Sequence, residues 1–281
     1  MKVEDFKDIL YEKDEATGVV TVTLNIPERK NAMSFVTFLE LFYAVDAMEK
    51  DDTARAMVLT GAKDPASSDP TNEAFSSGGY FNFKLIEEIP EEIKSEIDLT
   101  DIAQKKLCLK MFDFDKPVIA AINGLAIGAG FTMPLSGADL IYMSEHAWIQ
   151  LPFVGLGILP EFALTYFLPR VMGFQRAKEI VYFPKRISAQ QALEWGWING
   201  VVPHEELLPL AKETARKLVP PEGPGLAVKL AKRAFHKPYV DAVTQALDME
   251  NQGLNQAVMT YDFGESLKAR KEKRTPVFRG D

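Results

Sequence analysis

The stretch AINGLAIGAGFT, from Ala121 to Thr132, contains three glycines and no charged side chain. Its beginning, together with the preceding residues, reads PVIAAIN and favours a buried strand, and the glycines indicate a sharp turn into a helix that begins near Gly128. The first turn of a helix carries backbone N–H groups without partners, and small residues leave these groups uncovered. We therefore expect Ala129, between Gly128 and Gly130, to direct its N–H at a bound ligand.

A second turn of small residues, AFSSGGYF (Ala74 to Phe81), offers a further uncovered donor at Gly79. Two backbone N–H groups that converge on one oxygen form an oxyanion hole, which stabilises the enolate formed from a thioester. Close packing between a helix and a strand would also explain either turn alone. The presence of both turns in one chain favours the oxyanion hole, with Gly79 and Ala129 as its donors.

Strand and helix patterns alternate through the first half of the chain. VVTVTLN (Val19 to Asn25) alternates apolar residues with threonine, as a half-buried strand does, and ARAMVLTG (Ala54 to Gly61) is typical of a buried strand. Between them, SFVTFLELFYAVDAMEK predicts an amphipathic helix capped by Ser34. KPVIAAIN and ADLIYMS are predicted as further strands, so the pattern indicates an α/β fold.

From Glu161 onward the patterns are almost entirely helical. The segment SAQQALEWG begins with a capping pattern at Ser188 and Gln191, and the glycine at its end predicts the end of a helix. The cluster VPPEGPG (Val219 to Gly225) predicts a boundary between an α/β core, residues 1–218, and a helical region, residues 219–281. GAKDPASSDPTNEAF and NFKLIEEIPEEIKSEIDLTDI are predicted to be long loops.

The composition excludes several classes of protein. Of the 281 residues, 47% are hydrophobic and 26% are charged, which is typical of a globular chain. The net charge of −8 repels phosphate backbones, so we expect no nucleic-acid partner. Cys108 is the single cysteine, so no internal disulfide can form, and we interpret it as a structural thiol. The three histidines are scattered without metal-ligand spacing and indicate no metal site.

The segment between Lys116 and Asp139 has no charged residue and is long enough to cross a bilayer. Glycines, Asn123 and Pro134 interrupt it, so we interpret it as buried core and expect no membrane partner. The N-terminal MKVEDFKDIL mixes acids with bases, unlike a secretory signal. Together these features predict a cytoplasmic enzyme.

An ordered set of motifs resembles the enoyl-CoA hydratase/isomerase family, the crotonase superfamily, from about Phe6 to Gly280. Those motifs are LNIPERKNAM, VLTGA, AFSSGGYF, KPVIAAINGLAIGAGF, ADLIYMSEHAWIQLPFVGLGILPE, LPRVMG, ISAQQALEWGWINGVVP and TPVFRG. The resemblance implies a spiral of repeated ββα units and acyl-CoA thioester substrates, with coenzyme A as part of the substrate and no other cofactor. It also implies a homotrimer or a dimer of trimers, in which the helical tail from about Gly225 crosses between subunits.

The resemblance assigns site residues by position. It implies that Gly79 and Ala129 supply the oxyanion-hole N–H groups, in agreement with the interpretation of the two turns. Arg29 and Lys30 would lie near the phosphates of coenzyme A, where a fixed positive charge compensates an anion that has lost its hydration. The residues expected to contact coenzyme A or the acyl group are Arg29, Lys30, Ala32 through its backbone, Ser77, Gly78, Tyr80, Phe81, Gly128, Thr132, Phe153 and Pro160.

The chain departs from the hydratases of this family at both catalytic glutamates, whose positions hold Thr132 and Phe153. Neither side chain can act as a general acid or base near neutral pH. In GILPEFALTYFLPRVMG, however, Glu161 follows proline as the catalytic glutamate of single-acid isomerases does. Apolar neighbours would raise its pKa toward a useful range. The alternative is a carboxylate that only complements the dipole in the first turn of a helix.

These features predict an acyl-CoA isomerase in which Glu161 moves a proton between C2 and C4 of a β,γ-unsaturated substrate. One alternative keeps the scaffold and changes the chemistry to water addition, hydrolysis or nucleophilic attack by Glu161. In that case aromatic residues among Phe153, Phe162, Tyr166 and Phe167 would line a pocket for a cyclic acyl group, although we expect at least half of the four to pack in the core. A second alternative is a protein that binds acyl-CoA without catalysis.

Overall fold

The structure is a computed structural model that describes residues 1–80, 83–96, 98 and 101–281. In these ranges, ten strands form two sheets. The strands are β1 (Ile9–Lys13), β2 (Val19–Leu24), β3 (Ala56–Gly61), β4 (Ala74–Ser76), β5 (Val118–Ile122), β6 (Leu125–Ile127), β7 (Leu140–Ser144), β8 (Trp148–Gln150), β9 (Ile187–Ser188) and β10 (Gly200–Val202). The larger sheet has the order β1-β2-β3-β5-β7-β10, and the smaller has the order β4-β6-β8-β9.

Helices cover the sheets and form the C-terminal tail. They are α1 (Phe35–Lys50), α2 (Glu91–Glu96), α3 (Leu107–Phe112), α4 (Ala129–Gly137), α5 (Leu164–Met172), α6 (Phe174–Tyr182), α7 (Ala189–Glu194), α8 (Leu207–Leu218), α9 (Gly225–His236), α10 (Val240–Ala257) and α11 (Tyr261–Glu272). Within the described ranges, no helix is both long and apolar enough to cross a bilayer.

The two sheets are built by a repeating unit. β3 and β4, β5 and β6, and β7 and β8 are consecutive pairs whose first strand joins the larger sheet and whose second joins the smaller one. Within each sheet these strands run parallel to one another, and helices follow each pair. This arrangement confirms the predicted spiral of ββα units, and it brings the turns after β4 and β6 to the same side of the smaller sheet.

The helix between β2 and β3 forms as predicted. The Ser34 hydroxyl accepts a hydrogen bond from the Thr37 N–H at 3.3 Å, and the Thr37 hydroxyl accepts one from the Ser34 N–H at 2.9 Å. The prediction for β2 was wrong in one respect, because every residue of this strand except Thr23 is buried. Helices cover both faces of a parallel sheet, so Thr21 lies inside the protein and does not face solvent, and Thr23 is only partly exposed.

Close backbone approach explains two glycines of the opening stretch. A Cβ on Gly124 would lie 2.1 Å from the Glu73 carbonyl oxygen, and a Cβ on Gly130 would lie 2.5 Å from the Ser76 carbonyl oxygen. Both contacts join the β5–β6–α4 unit to the ends of β4. The charge-free segment is therefore interior, as predicted, and all of β5 is buried.

Two further predictions need correction. The second half is not purely helical, because β9 pairs with β8 and β10 pairs with β7. The acidic segment predicted as a loop contains α2, a preceding 3-10 helix (Phe83–Glu88) and the start of a π-helical turn (Ile102–Lys106). Both departures arise from tertiary pairing and packing, which override weak local signals.

The C-terminal helices pack against their own chain. Lys232 of α9 donates to the Lys116 carbonyl oxygen at 2.9 Å and pairs with Asp139 at 2.8 Å. Ser266 of α11 donates to the Leu156 carbonyl oxygen at 2.8 Å. The expected crossing of this tail to a neighbouring subunit stays a prediction.

The fit of Gly130 against β4 can be tested by a matched pair of substitutions. Gly130→Ala should lower the free energy of unfolding by about 1–3 kcal/mol, because the added methyl group meets backbone that cannot move aside. Gly264→Ala in α11 places its methyl group in open space and should be neutral or stabilise by about 0.5–1 kcal/mol. Urea unfolding at fixed protein concentration measures both, and equal stability of the two variants would contradict the packing described here.

Candidate active site

Backbone N–H groups of Gly79 and Ala129, at the turns after β4 and β6, have no hydrogen-bond partner in the part of the chain that the structure describes. The Met33 N–H donates to the Gly78 carbonyl oxygen at 2.8 Å, and the Tyr80 N–H donates to the Met33 carbonyl oxygen at 2.7 Å. These bonds fix the first turn, and neither of them uses the Gly79 N–H. The Ala129 N–H, at the start of α4, also has no hydrogen-bond partner among the described residues.

The two turns touch each other because their glycines carry no side chains. A Cβ on Gly78 would lie 2.7 Å from the Ile127 carbonyl oxygen and 3.9 Å from the Ala129 nitrogen. Gly78 has φ 94° and Gly128 has φ 52°, values that disfavour other residues. The Gly128 N–H is already used by the Gln150 carbonyl oxygen at 2.9 Å, so the free donors are those of Gly79 and Ala129.

These donors share one cavity with Glu161. Its volume is about 290 Å³, and its wall is mostly apolar. The lining residues are Ser77, Gly78, Gly79, Ile127, Gly128, Ala129, Gln150, Pro152, Phe153, Leu156, Ile158, Leu159, Glu161, Leu254, Phe263, Leu267 and Arg270. The cavity therefore combines two hydrogen-bond donors, one carboxyl group and one guanidinium group within an apolar wall, as enzyme sites do.

Glu161 is 9% exposed, and no hydrogen bond to its carboxylate is formed within the part of the chain that the structure describes. Burial raises the pKa of Glu161 to about 7, and the nearby charge of Glu250 acts in the same direction. A carboxyl group with a pKa near neutrality can both accept and return a proton at neutral pH.

Glu161 does not serve as a carboxylate in the first turn of a helix. It precedes α5 by three residues, and its backbone carbonyl oxygen accepts a hydrogen bond from the Leu164 N–H at 3.2 Å. The Ala163 and Thr165 N–H groups at that helix end are bound by Glu250 of α10. The alternative role considered for Glu161 is therefore filled by another residue.

Of the predicted coenzyme A residues around the first turn, Ser77 and Gly78 line the cavity, whereas Arg29, Lys30, Ala32 and Tyr80 do not. The Ser77 N–H donates to the Lys30 carbonyl oxygen at 2.9 Å, and the Ser77 hydroxyl donates to the Arg29 carbonyl oxygen at 3.2 Å. The Arg29 guanidinium lies 4.7 Å from the ring centroid of Tyr80. Ala32 is buried in the same segment. Their contacts with coenzyme A stay predictions, and Phe81 lies outside the described residues.

The positions that carry glutamates in hydratases differ in their surroundings. Phe153 lines the cavity, and its ring lies 3.7 Å from where a Cβ on Gly128 would stand. Thr132 is buried behind the cavity, and its hydroxyl has no partner among the described residues. Pro160 is buried and is not part of the lining. Their expected contacts with substrate stay predictions.

Of the four aromatic residues expected around a cyclic acyl group, Phe153 alone lines this cavity. The Phe162 ring packs on Phe38 of α1, with centroids 5.9 Å apart. Tyr166 and Phe167 contact each other edge to face, at 5.2 Å between centroids. These three side chains belong to the core around α5.

Sequence reasoning missed the part of the wall that the tail supplies. Phe263, Leu267 and Arg270 follow one another at helical spacing on α11, so one face of this helix closes the cavity. The spacing was visible in the sequence, but nothing local indicated what this face would contact. Glu250 was missed as well, because its role depends on the position of α10 beside α5.

The cysteine and histidines lie apart from this wall. Burial raises the pKa of the Cys108 thiol to about 12, in keeping with a structural role. His204 is almost fully buried, with its ring between the Ser144 hydroxyl at 3.1 Å and Glu73 at 3.3 Å. This polar cluster joins the ends of β7 and β10 to the residue before β4.

Comparisons with known proteins agree with this architecture. A sequence model described as enoyl-CoA hydratase/isomerase matches residues 14–281. The chain is 32% identical over 264 residues to 1,2-epoxyphenylacetyl-CoA isomerase of Escherichia coli, covering 94% of this chain and 95% of that protein. It is also 32% identical over 270 residues to short-chain-enoyl-CoA hydratase of Clostridium acetobutylicum, covering 96% and 97%. The crystal structure of enoyl-CoA hydratase/isomerase from Pseudoalteromonas atlantica superposes with a TM-score of 0.83 at 25% identity, covering 97% of this chain and 100% of that chain.

The raised pKa of Glu161 predicts a stability cost that can be measured. A carboxyl group with a pKa near 7 in the folded protein and near 4.5 when unfolded lowers stability as pH rises from about 4.5 to 7. Glu161→Gln removes that loss, so at about pH 8 the variant should be more stable than the parent by about 3 kcal/mol.

The gain should disappear below about pH 4.5, where the parent carboxyl is protonated in both states. Glu194→Gln, on the exposed surface of α7, controls for the glutamine substitution itself. Denaturant unfolding across this pH range measures the difference. A stability gain for Glu161→Gln that did not change with pH would contradict the raised pKa.

Proposed function

This chain belongs to the enoyl-CoA hydratase/isomerase family, and we propose that it is an isomerase that moves a β,γ double bond of an acyl-CoA into conjugation with the thioester. In this proposal Glu161 is the acid and base, and the Gly79 and Ala129 N–H groups bind the thioester oxygen. Coenzyme A enters as part of the substrate, and the proposed reaction uses no other cofactor.

The observation that carries this proposal is the presence of a carboxyl group, with a pKa near 7, in the same cavity as two free backbone donors. The positions of the hydratase glutamates hold Thr132 and Phe153 instead. One group that accepts and returns a proton is sufficient for isomerisation, whereas the two-glutamate hydration of this family uses a pair to hold water.

The proposed reaction balances without any further reactant. Glu161 removes a proton from C2, and the electrons of that C–H bond move to the thioester oxygen. The Gly79 and Ala129 N–H groups stabilise the resulting enolate by charge-assisted hydrogen bonds. The electrons then return through the conjugated system as Glu161 delivers its proton to C4. The double bond has moved, and Glu161 is again ionised.

We also propose a cytoplasmic homotrimer or dimer of trimers. Large apolar side chains of the tail, including Phe235 of α9, Met249 of α10 and Met259 between α10 and α11, are exposed on a single chain and would be covered by a neighbouring subunit. The single cysteine of the sequence fits a reducing compartment. Arg29, Lys30 and Ser77 would contact the nucleotide part of coenzyme A on the outer side of the first turn.

The second candidate function is hydration or hydrolysis on the same scaffold. It is favoured by the similarity to short-chain-enoyl-CoA hydratase. In this case Glu161 would activate a water molecule instead of shuttling a proton. Binding of acyl-CoA without catalysis is the remaining alternative, and exchange of the C2 proton with solvent separates it from both reactions.

The isomerase proposal predicts that a β,γ-unsaturated acyl-CoA is converted to the conjugated isomer at unchanged mass, which ultraviolet absorbance and mass spectrometry measure together. Glu161→Gln should lower kcat by about 10²–10⁴-fold, because glutamine cannot accept a proton from carbon. Affinity for coenzyme A should survive in this variant. Thr132→Val and Phe153→Leu should retain turnover and alter mainly the preference among acyl groups.

Gain of water in the product would favour the hydratase instead. Near-parental turnover in Glu161→Gln, together with loss of turnover in a folded Phe153→Leu variant, would place the base elsewhere. Inactivity of the parent toward linear and cyclic substrates of every chain length would remove the isomerase proposal.

A further inference from the structure

Glu161 is attached to a strained turn. The next two residues, Phe162 and Ala163, both have left-handed backbone conformations, with φ 57° and φ 54°. Neither residue is a glycine, and left-handed backbone costs each of them about 1–2 kcal/mol. Such a turn persists only when surrounding contacts determine it, and strain of this kind concentrates at functional positions.

Glu250 of α10 supplies contacts that hold this turn. One carboxylate oxygen accepts the Ala163 N–H at 2.8 Å, and the other accepts the Thr165 N–H at 2.9 Å and the Thr165 hydroxyl at 2.6 Å. Glu250 is 2% exposed. Ala163 has no side-chain cap of its own, so a carboxylate from a distant part of the chain caps the N-terminus of α5.

A second contact holds the same turn. Phe162 is fully buried and packs on Phe38 of α1. Both anchored residues directly follow Glu161: an aromatic contact holds Phe162, and the Glu250 carboxylate holds the Ala163 N–H. The direction of the Glu161 side chain depends on both, because its own carboxylate makes no hydrogen bond within the described part of the chain.

We propose that Glu250 is the positioning residue for Glu161, fixing the left-handed turn so that the base faces the cavity and keeping a second negative charge behind it. This inference rests on the proposed function, in which Glu161 is the base. Glu250 itself touches no substrate in this proposal, because it is not part of the cavity wall.

The charge of Glu250 has few nearby groups to offset it. Burial raises the pKa of Glu250 to about 7, although the hydrogen bonds from Thr165 and Ala163 act in the opposite direction. From α3, Cys108 faces it with a thiol whose pKa is also raised. On α10, Asp248 forms an ion pair with Lys105 of the π-helical turn at 2.6 Å. The Asn251 side chain, also on α10, donates a hydrogen bond to the Asp101 carboxylate.

Tyr166 and Arg170 of α5 face each other, with the guanidinium 3.4 Å from the ring centroid. No cation therefore pairs with Glu250 among the described residues, and its charge opposes ionisation of Glu161. A carboxylate that is harder to ionise is a stronger base, so Glu250 raises the basicity of Glu161 as well as orienting it.

Two substitutions separate charge from geometry. Glu250→Gln keeps the shape and removes the charge, so the Glu161 carboxyl should titrate about one pH unit lower. Glu250→Asp keeps the charge but is too short to reach both N–H groups, so the titration should change little while kcat falls more than tenfold with KM nearly constant. Infrared titration of the carboxyl band, with Glu161 assigned as the signal missing in Glu161→Gln, reports the midpoint without requiring turnover.

Glu40 provides a matched control. It is also buried on a helix, it accepts three backbone N–H groups, and burial raises its pKa to about 7. Glu40→Gln should therefore change stability about as much as Glu250→Gln does, while leaving the Glu161 titration in place.

An unchanged Glu161 midpoint in Glu250→Gln, or an effect on kcat no larger than that of Glu40→Gln, would overturn the positioning role. If the midpoint shifts but the parent isomerises no substrate, the positioning role stands and the isomerase proposal fails.

Discussion

Close contact between two backbone turns is the constraint on which the site depends. Gly78 lies against the Ile127 carbonyl, Gly124 against the Glu73 carbonyl and Gly130 against the Ser76 carbonyl, each too close for a side chain. These contacts join β4 and its following turn to β6 and α4. The Gly79 and Ala129 N–H groups consequently belong to closely packed backbone. In the proposed reaction they would need no rearrangement when charge develops on the thioester oxygen, which is the condition for strong electrostatic stabilisation.

The Glu161 carboxyl group, which shares a cavity with these donors, lowers the free energy of unfolding. Glu161 is buried, and its carboxylate makes no hydrogen bond among the residues that the structure describes. Two left-handed residues follow it, and Glu250, a second buried glutamate, lies near it; each of these features is unfavourable for folding. The larger core offsets these costs. Phe162, the first of the strained residues, is fully buried in that core against Phe38, so the same residue that carries strain also anchors the turn. Local departures from favourable structure of this kind concentrate where proteins perform chemistry.

Most of the α/β core could be predicted from the sequence because its signals are local. Ser34 caps α1, the apolar run before Asn123 forms β5, and small residues mark both turns. Glu161 was found from its place after proline. Glu250 and Arg270 were not found, because each is an ordinary charged residue on a tail helix, and only tertiary packing brings it to the site. The solvent-facing side expected for β2 was wrong for the same reason, since helix packing on the second face leaves no local pattern in a six-residue strand.

The helical tail therefore has a part in the site as well as any part in assembly. The helices α9 to α11 follow a proline- and glycine-rich segment in the sequence, yet α10 provides Glu250 and Leu254, and α11 provides the apolar face with Arg270. The Gly79 and Ala129 N–H groups, which we propose as oxyanion donors, come from the spiral, and Glu250, which holds the turn after the proposed base, comes from the tail. A cavity built in this way is complete only when the tail is docked. The docked tail helps to bury Glu161, and this burial raises the pKa of its carboxyl group. The basicity of Glu161 therefore depends directly on the packing of α10 and α11.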